Sequence, residues 1–221
     1  MEQIKDILPP AVAQLARPTS VEQVSTRASA DLDKTLDLAF EPFRTLNDSQ
    51  LIQMKAAARS FAFDMITGNT SPYWLSLLGT SGAGKTMLAK IVSRLFRCNK
   101  HGAVVAETPS RIWYANGGFI KWATLVQWMR EGDWRAFDDV SRDWFVCVDD
   151  LGAEHATDFS RAKLYEMFDR GENKWRIWTA NLSLQEITDR IDARISSRML
   201  RNNSIVLDVD VPDYNTRGAH R

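Results

Sequence analysis

Eight consecutive residues, Gly79-Thr80-Ser81-Gly82-Ala83-Gly84-Lys85-Thr86, satisfy the pattern G-x-x-x-x-G-K-[ST]. The chemistry of that pattern is phosphate binding. Glycines let the backbone curl until successive N–H groups converge on an anion, and a helix opening at the lysine adds the positive end of its dipole. Lys85 is placed to reach the β and γ phosphates of a nucleoside triphosphate, and the Thr86 hydroxyl to ligate Mg²⁺. Met87 follows as a further nucleotide contact. A second run, Trp144-Phe145-Val146-Cys147-Val148-Asp149-Asp150, is an apolar strand closing in two carboxylates. In this setting Asp149 holds the metal, directly or through water, and Asp150 polarises the attacking water, with Glu154 four residues on as the reserve. Taken by itself such a pair also reads as a turn or a helix cap, and the phosphate loop upstream favours the catalytic reading.

Two further patterns carry chemistry. The run Trp175-Arg176-Ile177-Trp178-Thr179-Ala180-Asn181 reads as a strand ending in a polar residue. If it lies beside the strand that feeds the phosphate loop, Asn181 points at the γ phosphate or the attacking water; the other reading is a strand-end turn. Beyond it, Ser183 and Glu186 form a capping box that starts a helix near Leu184. On one continuous helix, Arg190, Arg194, Arg198 and Arg201 make an outward row beside the apolar row Ile187, Ile191, Ile195 and Met199. Such a row is a solvated face or a source of one arginine that completes a neighbouring subunit's site.

The elements that must position these residues alternate along the chain. The strand YWLSLLG is followed by a helix from Lys85 to about Arg97, the strand SRIWYAN, a helix around Phe119 to Arg130, and the strand WFVCVDD. A helix from about Phe159 to Arg170, the strand WRIWTAN, the helix from Leu184 and a last strand SIVLDVDV complete the series. Apolar strands alternating with helices imply an α/β fold with a parallel sheet covered on both faces. Upstream, a helix over Leu51 to Met65, capped by Asn47, Asp48 or Ser49 and ended by Gly68, leads into the core. Residues 1 to about 30 contain Pro9, Pro10 and Pro18 and read as a mobile arm with at most a short helix. The expected division is an arm over 1–35, a helical lead-in over 36–70 and a nucleotide-binding domain over 71–221.

Composition narrows the function classes. No apolar run approaches the roughly 18 to 20 residues that span a bilayer, so a soluble cytoplasmic protein with no membrane partner is expected. Cys98 and Cys147 have no zinc-site spacing, and His155 and His220 have no metal spacing. With 28 basic and 28 acidic residues the net charge is zero, so any nucleic-acid contact comes from a local patch. Arg94, Arg97, Lys100 and His101 form one small basic cluster, read either as a phosphate contact or as cations complementing a helix C-terminus. Trp122 and Trp128 lie on one helix and read as core packing ahead of stacking on single-stranded bases.

Taken in order, LLGTSGAGKTMLAK, FVCVDDLGAE, IWTANLSLQEI and RIDARISSRM resemble the AAA+ ATPases of the DnaC and IstB group, which includes helicase loaders and transposition helper ATPases. The resemblance covers about residues 40 to 217, including the lead-in FEPFRTLNDSQLIQMKAAARSFAFDM. It implies the three-layer AAA+ P-loop NTPase fold with a reduced or absent C-terminal lid, and ATP and Mg²⁺ as ligands. Asp149 and Asp150 become the Walker B pair and Asn181 the sensor 1 residue. Arg198, in the Ser-Arg-Met step, becomes the trans-acting arginine, with Arg194 as its alternate, and Arg217 a weak substitute for the sensor 2 arginine. The implied function is an oligomeric ATPase that binds single-stranded DNA and loads or remodels a hexameric replicative helicase. In that reading the stripe Ile4, Ile7, Leu8, Val12 and Leu15 is the candidate helicase contact, a plain tail being the other reading. The alternatives are a transposition helper on duplex target DNA, a monomeric P-loop kinase, and a nucleotide-binding adaptor with negligible turnover.

Overall fold

The structure is a computed structural model and describes residues 26–100, 118–153, 156–201 and 203–214. Two helices, α1 (Thr26–Phe40) and α2 (Ser49–Thr67), precede the sheet. The body then runs β1 (Trp74–Gly79), α3 (Lys85–Lys100), β2 (Phe119–Lys121), α4 (Trp122–Arg130), α5 (Trp134–Arg142) and β3 (Phe145–Leu151). It continues with α6 (Asp158–Arg170), β4 (Trp175–Ala180), α7 (Leu184–Arg190), α8 (Ala193–Met199) and β5 (Ile205–Val209). The five strands pair in parallel in the order β2-β3-β4-β1-β5. The strand that leads into Asn181 therefore lies between the phosphate-loop strand and the Asp149–Asp150 strand.

Strand periodicity divides the core in two. Leu75 and Leu77, Phe145 and Cys147, Trp175 and Ile177 join a cluster with residues of α1, α2 and α3. Their neighbours Trp74 and Leu78, Val146 and Val148, Trp178 and Ala180 join a second cluster with α4 to α8. Alternate residues of one strand face opposite sides, so this split is what a doubly covered parallel sheet produces. Trp122 is fully buried in the second cluster and Trp128 packs against it, so both are core residues.

Local chemistry sets the ends of the elements. Asp48 caps α2, its carboxylate accepting from the N–H groups of Gln50 and Leu51, and Gly68 ends the helix in the left-handed conformation. Ser183 and Glu186 make the reciprocal capping box of α7.

Several boundaries depart from the sequence reading. Residues 26–35 belong to α1, whose Leu32, Leu36 and Phe40 are buried at helical spacing, so the helical lead-in begins earlier than residue 36. Phe119–Lys121 is a strand paired with Cys147–Asp149, and the following helix starts at Trp122. The expected strand at 110–116 and the arm segment Ile4 to Leu15 lie outside the described residues. Leu184–Met199 is two helices: Asp192 is extended and its carboxylate accepts from the N–H of Arg194, capping a new helix. The arginines consequently do not form one continuous row. Among the described residues no helix is long and apolar enough to cross a membrane.

Candidate active site

The phosphate loop sits at the carboxyl end of the interior strand β1, between β4 and β5, where open parallel sheets present their ligand sites. Gly79 has φ +102°, and a Cβ there would meet the carbonyl oxygen of Val209 at 2.0 Å. Only glycine lets β5 lie that close to the start of the loop. Gly84 has φ +90°, and a Cβ there would meet the Phe43 ring at 2.6 Å, so the lead-in packs directly against the loop. Thr80 fastens the loop to the chain after β5: its N–H donates to the Val209 carbonyl (2.9 Å), and its hydroxyl donates to the Val211 carbonyl (2.7 Å). The N–H of Tyr214 donates to the carbonyl of Gly82 (3.1 Å).

Lys85 is 4% exposed and donates to the carbonyls of Gly79 (2.9 Å) and Thr80 (2.5 Å). Burial pushes its ammonium down to about 8, against the opposing pull of Asp150, Asp149 and Asp208. A buried cation held by loop carbonyls beside positive-φ glycines fits an incoming polyphosphate. The Thr86 hydroxyl donates to Asp149 Oδ1 (2.7 Å), which turns its lone pairs away from the carboxylate. Thr86 and the remaining oxygen of Asp149 fit a hard divalent cation that keeps several waters. Among the described residues there is no cluster of three or more His, Cys, Asp or Glu side chains for a metal of another kind.

The carboxylates and Asn181 meet as the strand order requires. Asn181 Nδ2 donates to Asp150 Oδ1 (2.8 Å). Asp150 itself has φ +64°, an unusual backbone for a residue other than glycine. The turn after Asn181 is tied on both sides: Gly79 N–H donates to the Leu182 carbonyl (3.0 Å), and Leu184 N–H donates to Asp208 Oδ2 (3.1 Å). Thr179 and Asp208 are the site residues that pattern reading missed. Their signal is a polar side chain on a mostly apolar strand. Met87 is 40% exposed in the first turn of α3, available at the surface beside the loop. Glu154, His155 and Arg217 lie outside the described residues.

The arginines separate by environment. The Arg198 side chain is 11% exposed, stacks over the Tyr165 ring at 3.9 Å and pairs with Asp169, so it is held inside its own subunit. Arg194 is 73% exposed and paired with Asp192 at 2.8 Å. Arg190 is 65% exposed and paired with Glu186 one turn back.

The backbone is similar to those of several solved structures, among them these three. One is the DnaC helicase loader, 20% identical, matched over 77% of this chain and 96% of that one with a TM-score of 0.57. The second is DnaI, 18% identical over 80% and 92% of the two chains, with a TM-score of 0.52. The third is domain III of the Thermotoga maritima replication initiation protein DnaA, 18% identical over 83% and 71%, with a TM-score of 0.54. No family model matches the sequence, and no curated protein matches it. At these identities the likeness establishes the fold: the chain has the AAA+ P-loop NTPase fold, a five-stranded parallel sheet between two helical layers.

Proposed function

We propose that this chain is an ATP-hydrolysing AAA+ protein of DNA replication that assembles into an oligomer, binds single-stranded DNA and delivers or remodels a hexameric replicative helicase. The observation that carries the hydrolytic part is the convergence of Lys85, Thr86, Asp149, Asp150 and Asn181 at the end of three adjacent strands. Support for the replication role is the likeness to a helicase loader over nearly all of that loader's chain. That part rests on fold analogy.

In this reading the phosphate-loop N–H groups and Lys85 bind the β and γ phosphates of ATP. Thr86 and Asp149 hold Mg²⁺, which when bound neutralises charge on the phosphate oxygens. Asp150 accepts the proton of the attacking water, and Asn181 orients that water or the γ phosphate. Arg194, outward, paired with Asp192 and at the longer distance of 5.3 Å from the Tyr165 ring, is the better candidate for completing a neighbour's site than Arg198, which is engaged within its own subunit.

The test is ATP turnover of the purified protein alone, with single-stranded DNA, with duplex DNA and with the replicative helicase of its host, with Lys85→Ala and Arg194→Ala as controls. Stimulation by helicase or single-stranded DNA, with activity regained on mixing the two variants, supports the loader. A response to duplex DNA alone transfers the reading to a transposition helper. Turnover by a monomer that is indifferent to Arg194→Ala rejects the shared site and favours a monomeric P-loop enzyme.

A further inference from the structure

Two adjacent carboxylates on a regular strand cannot serve one site, because consecutive side chains point to opposite faces. Asp149 follows Phe145 and Cys147 onto the α3 side of the sheet, the side of the phosphate loop. By the same alternation Asp150 would follow Val146 and Val148 to the other side, against Trp178 and α6. It does not: its carboxylate accepts from Asn181, which follows the end of β4 two residues after Thr179, the residue that meets Asp149 on the phosphate-loop side.

The register shows how. Val148 pairs with Trp178 and Leu151 with Ala180, so Asp149 and Asp150 together stand opposite the single residue Thr179. That is a β-bulge, with the positive-φ Asp150 as the extra residue. Leu151 confirms the shift of phase, since it packs in the cluster of Val146 and Val148, where an unbroken strand would place it on the opposite face.

Thr179 is the residue that closes the bulge. Its side chain is buried, its hydroxyl donates to Asp149 Oδ1 (2.7 Å), and its oxygen accepts the N–H of Asp150 (2.9 Å). A hydroxyl has one proton to give and lone pairs to receive, and both are used. The bulge takes the Asp150 N–H out of the regular ladder, and Thr179 supplies the acceptor that the neighbouring backbone no longer offers. Together with Thr86, Thr179 also fixes one oxygen of Asp149.

We propose that Thr179 is a positioning residue for ATP hydrolysis: by bridging Asp149 and the backbone of Asp150 it holds the bulge that turns both carboxylates to the same side of the sheet. This rests on the ATPase reading. Valine has the same shape and can neither donate nor accept, whereas serine keeps the hydroxyl. In Thr179→Val, turnover falls by about 100-fold through misplacement of Asp150. Affinity for a fluorescent ADP measured in chelator stays within about threefold of the parent, because the phosphate loop is untouched. The gain in that affinity on adding Mg²⁺ shrinks, because Asp149 has lost one of its two anchors, and the half-saturating Mg²⁺ concentration rises. Thr179→Ser restores both turnover and the Mg²⁺ response.

Parental turnover and parental Mg²⁺ response in Thr179→Val overturn the assignment, as does a Thr179→Ser protein no better than the valine variant, which would make methyl packing the role of the residue. If the valine variant does not fold, Thr179→Ala replaces it, and parental behaviour of that protein overturns the assignment equally. A parent protein that binds no nucleotide overturns the ATPase reading, and this one with it.

Discussion

Lys85 gives the site a pH dependence of definite sign and size. Its ammonium is buried and depressed to about 8 in the protein without nucleotide. The β and γ phosphates would bring negative charge to it, so the form that binds is the protonated one. The apparent association constant should then scale with the protonated fraction of the free protein, about 0.76 at pH 7.5 and about 0.09 at pH 9 for a group titrating near 8. The ratio is about eightfold, or roughly 1.2 kcal/mol of binding free energy. Folding responds in the opposite sense. With a reference value of 10.5 and a folded value of about 8, the unfolded chain binds more protons between these limits. This residue's contribution to stability therefore rises with pH across that window while nucleotide affinity falls. Calorimetric titration with ATP at constant ionic strength and saturating Mg²⁺ measures the affinity. Repeating it at pH 9 in two buffers of different ionisation enthalpy measures proton uptake, expected to approach one proton per ATP. Flat affinity from pH 7.5 to 9 with no proton uptake would refute a depressed Lys85 and the polyphosphate position assigned to it.

Four other substitutions separate roles that the sequence leaves merged. Arg198→Ala should lower the stability of the isolated subunit by about 1 to 2 kcal/mol, through loss of the Tyr165 stacking and the Asp169 pair, a fall of roughly 2 to 8 °C in thermal midpoint. Arg194→Ala, which removes the pair of a 73% exposed side chain and its longer, 5.3 Å contact with the Tyr165 ring, should leave the midpoint within about 1 °C while reducing turnover of the assembled protein. Equal loss of stability in both variants would remove the basis for distinguishing them. Asp48→Ala, which removes the oxygen that accepts from the Gln50 and Leu51 N–H groups at the start of α2, should cost about 1 kcal/mol, a fall of roughly 2 to 4 °C by differential scanning calorimetry; an unchanged midpoint would count against the cap. Asp149→Asn should keep nucleotide binding in chelator and lose most of its enhancement by Mg²⁺, and an undiminished enhancement would take the metal away from Asp149.

Much of this site is readable in the sequence because its signals are local. The phosphate loop is eight contiguous residues, Asp149 and Asp150 close an apolar run, and Ser183 with Glu186 spells a cap. Alternating strands and helices lead to the parallel sheet without knowledge of any contact. What escapes is set across the fold. The bulge at Asp150 exists because Thr179, 29 residues away, accepts its N–H. The environment of Arg198 depends on Tyr165 and Asp169 of α6. Arg176 is fully buried with its guanidinium donating to the carbonyls of Ser141, Asp143 and Trp175, an arrangement that no period in WRIWTAN announces. The break between α7 and α8 is an intermediate case. Asp192 is a strong cap residue, yet the uninterrupted apolar row from Ile187 to Met199 outweighs it when the sequence is read by periodicity alone.

The same division explains how the fold can be shared at 18% to 20% identity with the solved structures it resembles at TM-scores above 0.5. Leu77, Val148 and Ile177 need only be apolar and of fitting volume, because each strand contributes an alternating face to one of two cores and many side chains satisfy that demand. Gly79 has no such freedom, since any Cβ there collides with the backbone of Val209. Lys85, Thr86 and Asp149 are constrained by geometry in the same way: each must deliver a particular charge or lone pair within about 3 Å of a fixed point. Identity can therefore drain from the layers while the strand order persists. The bulge adds a condition of a third kind, because it constrains a pair of residues on adjacent strands: Asp150 can face the phosphate loop only while position 179 carries a side chain that both accepts and donates.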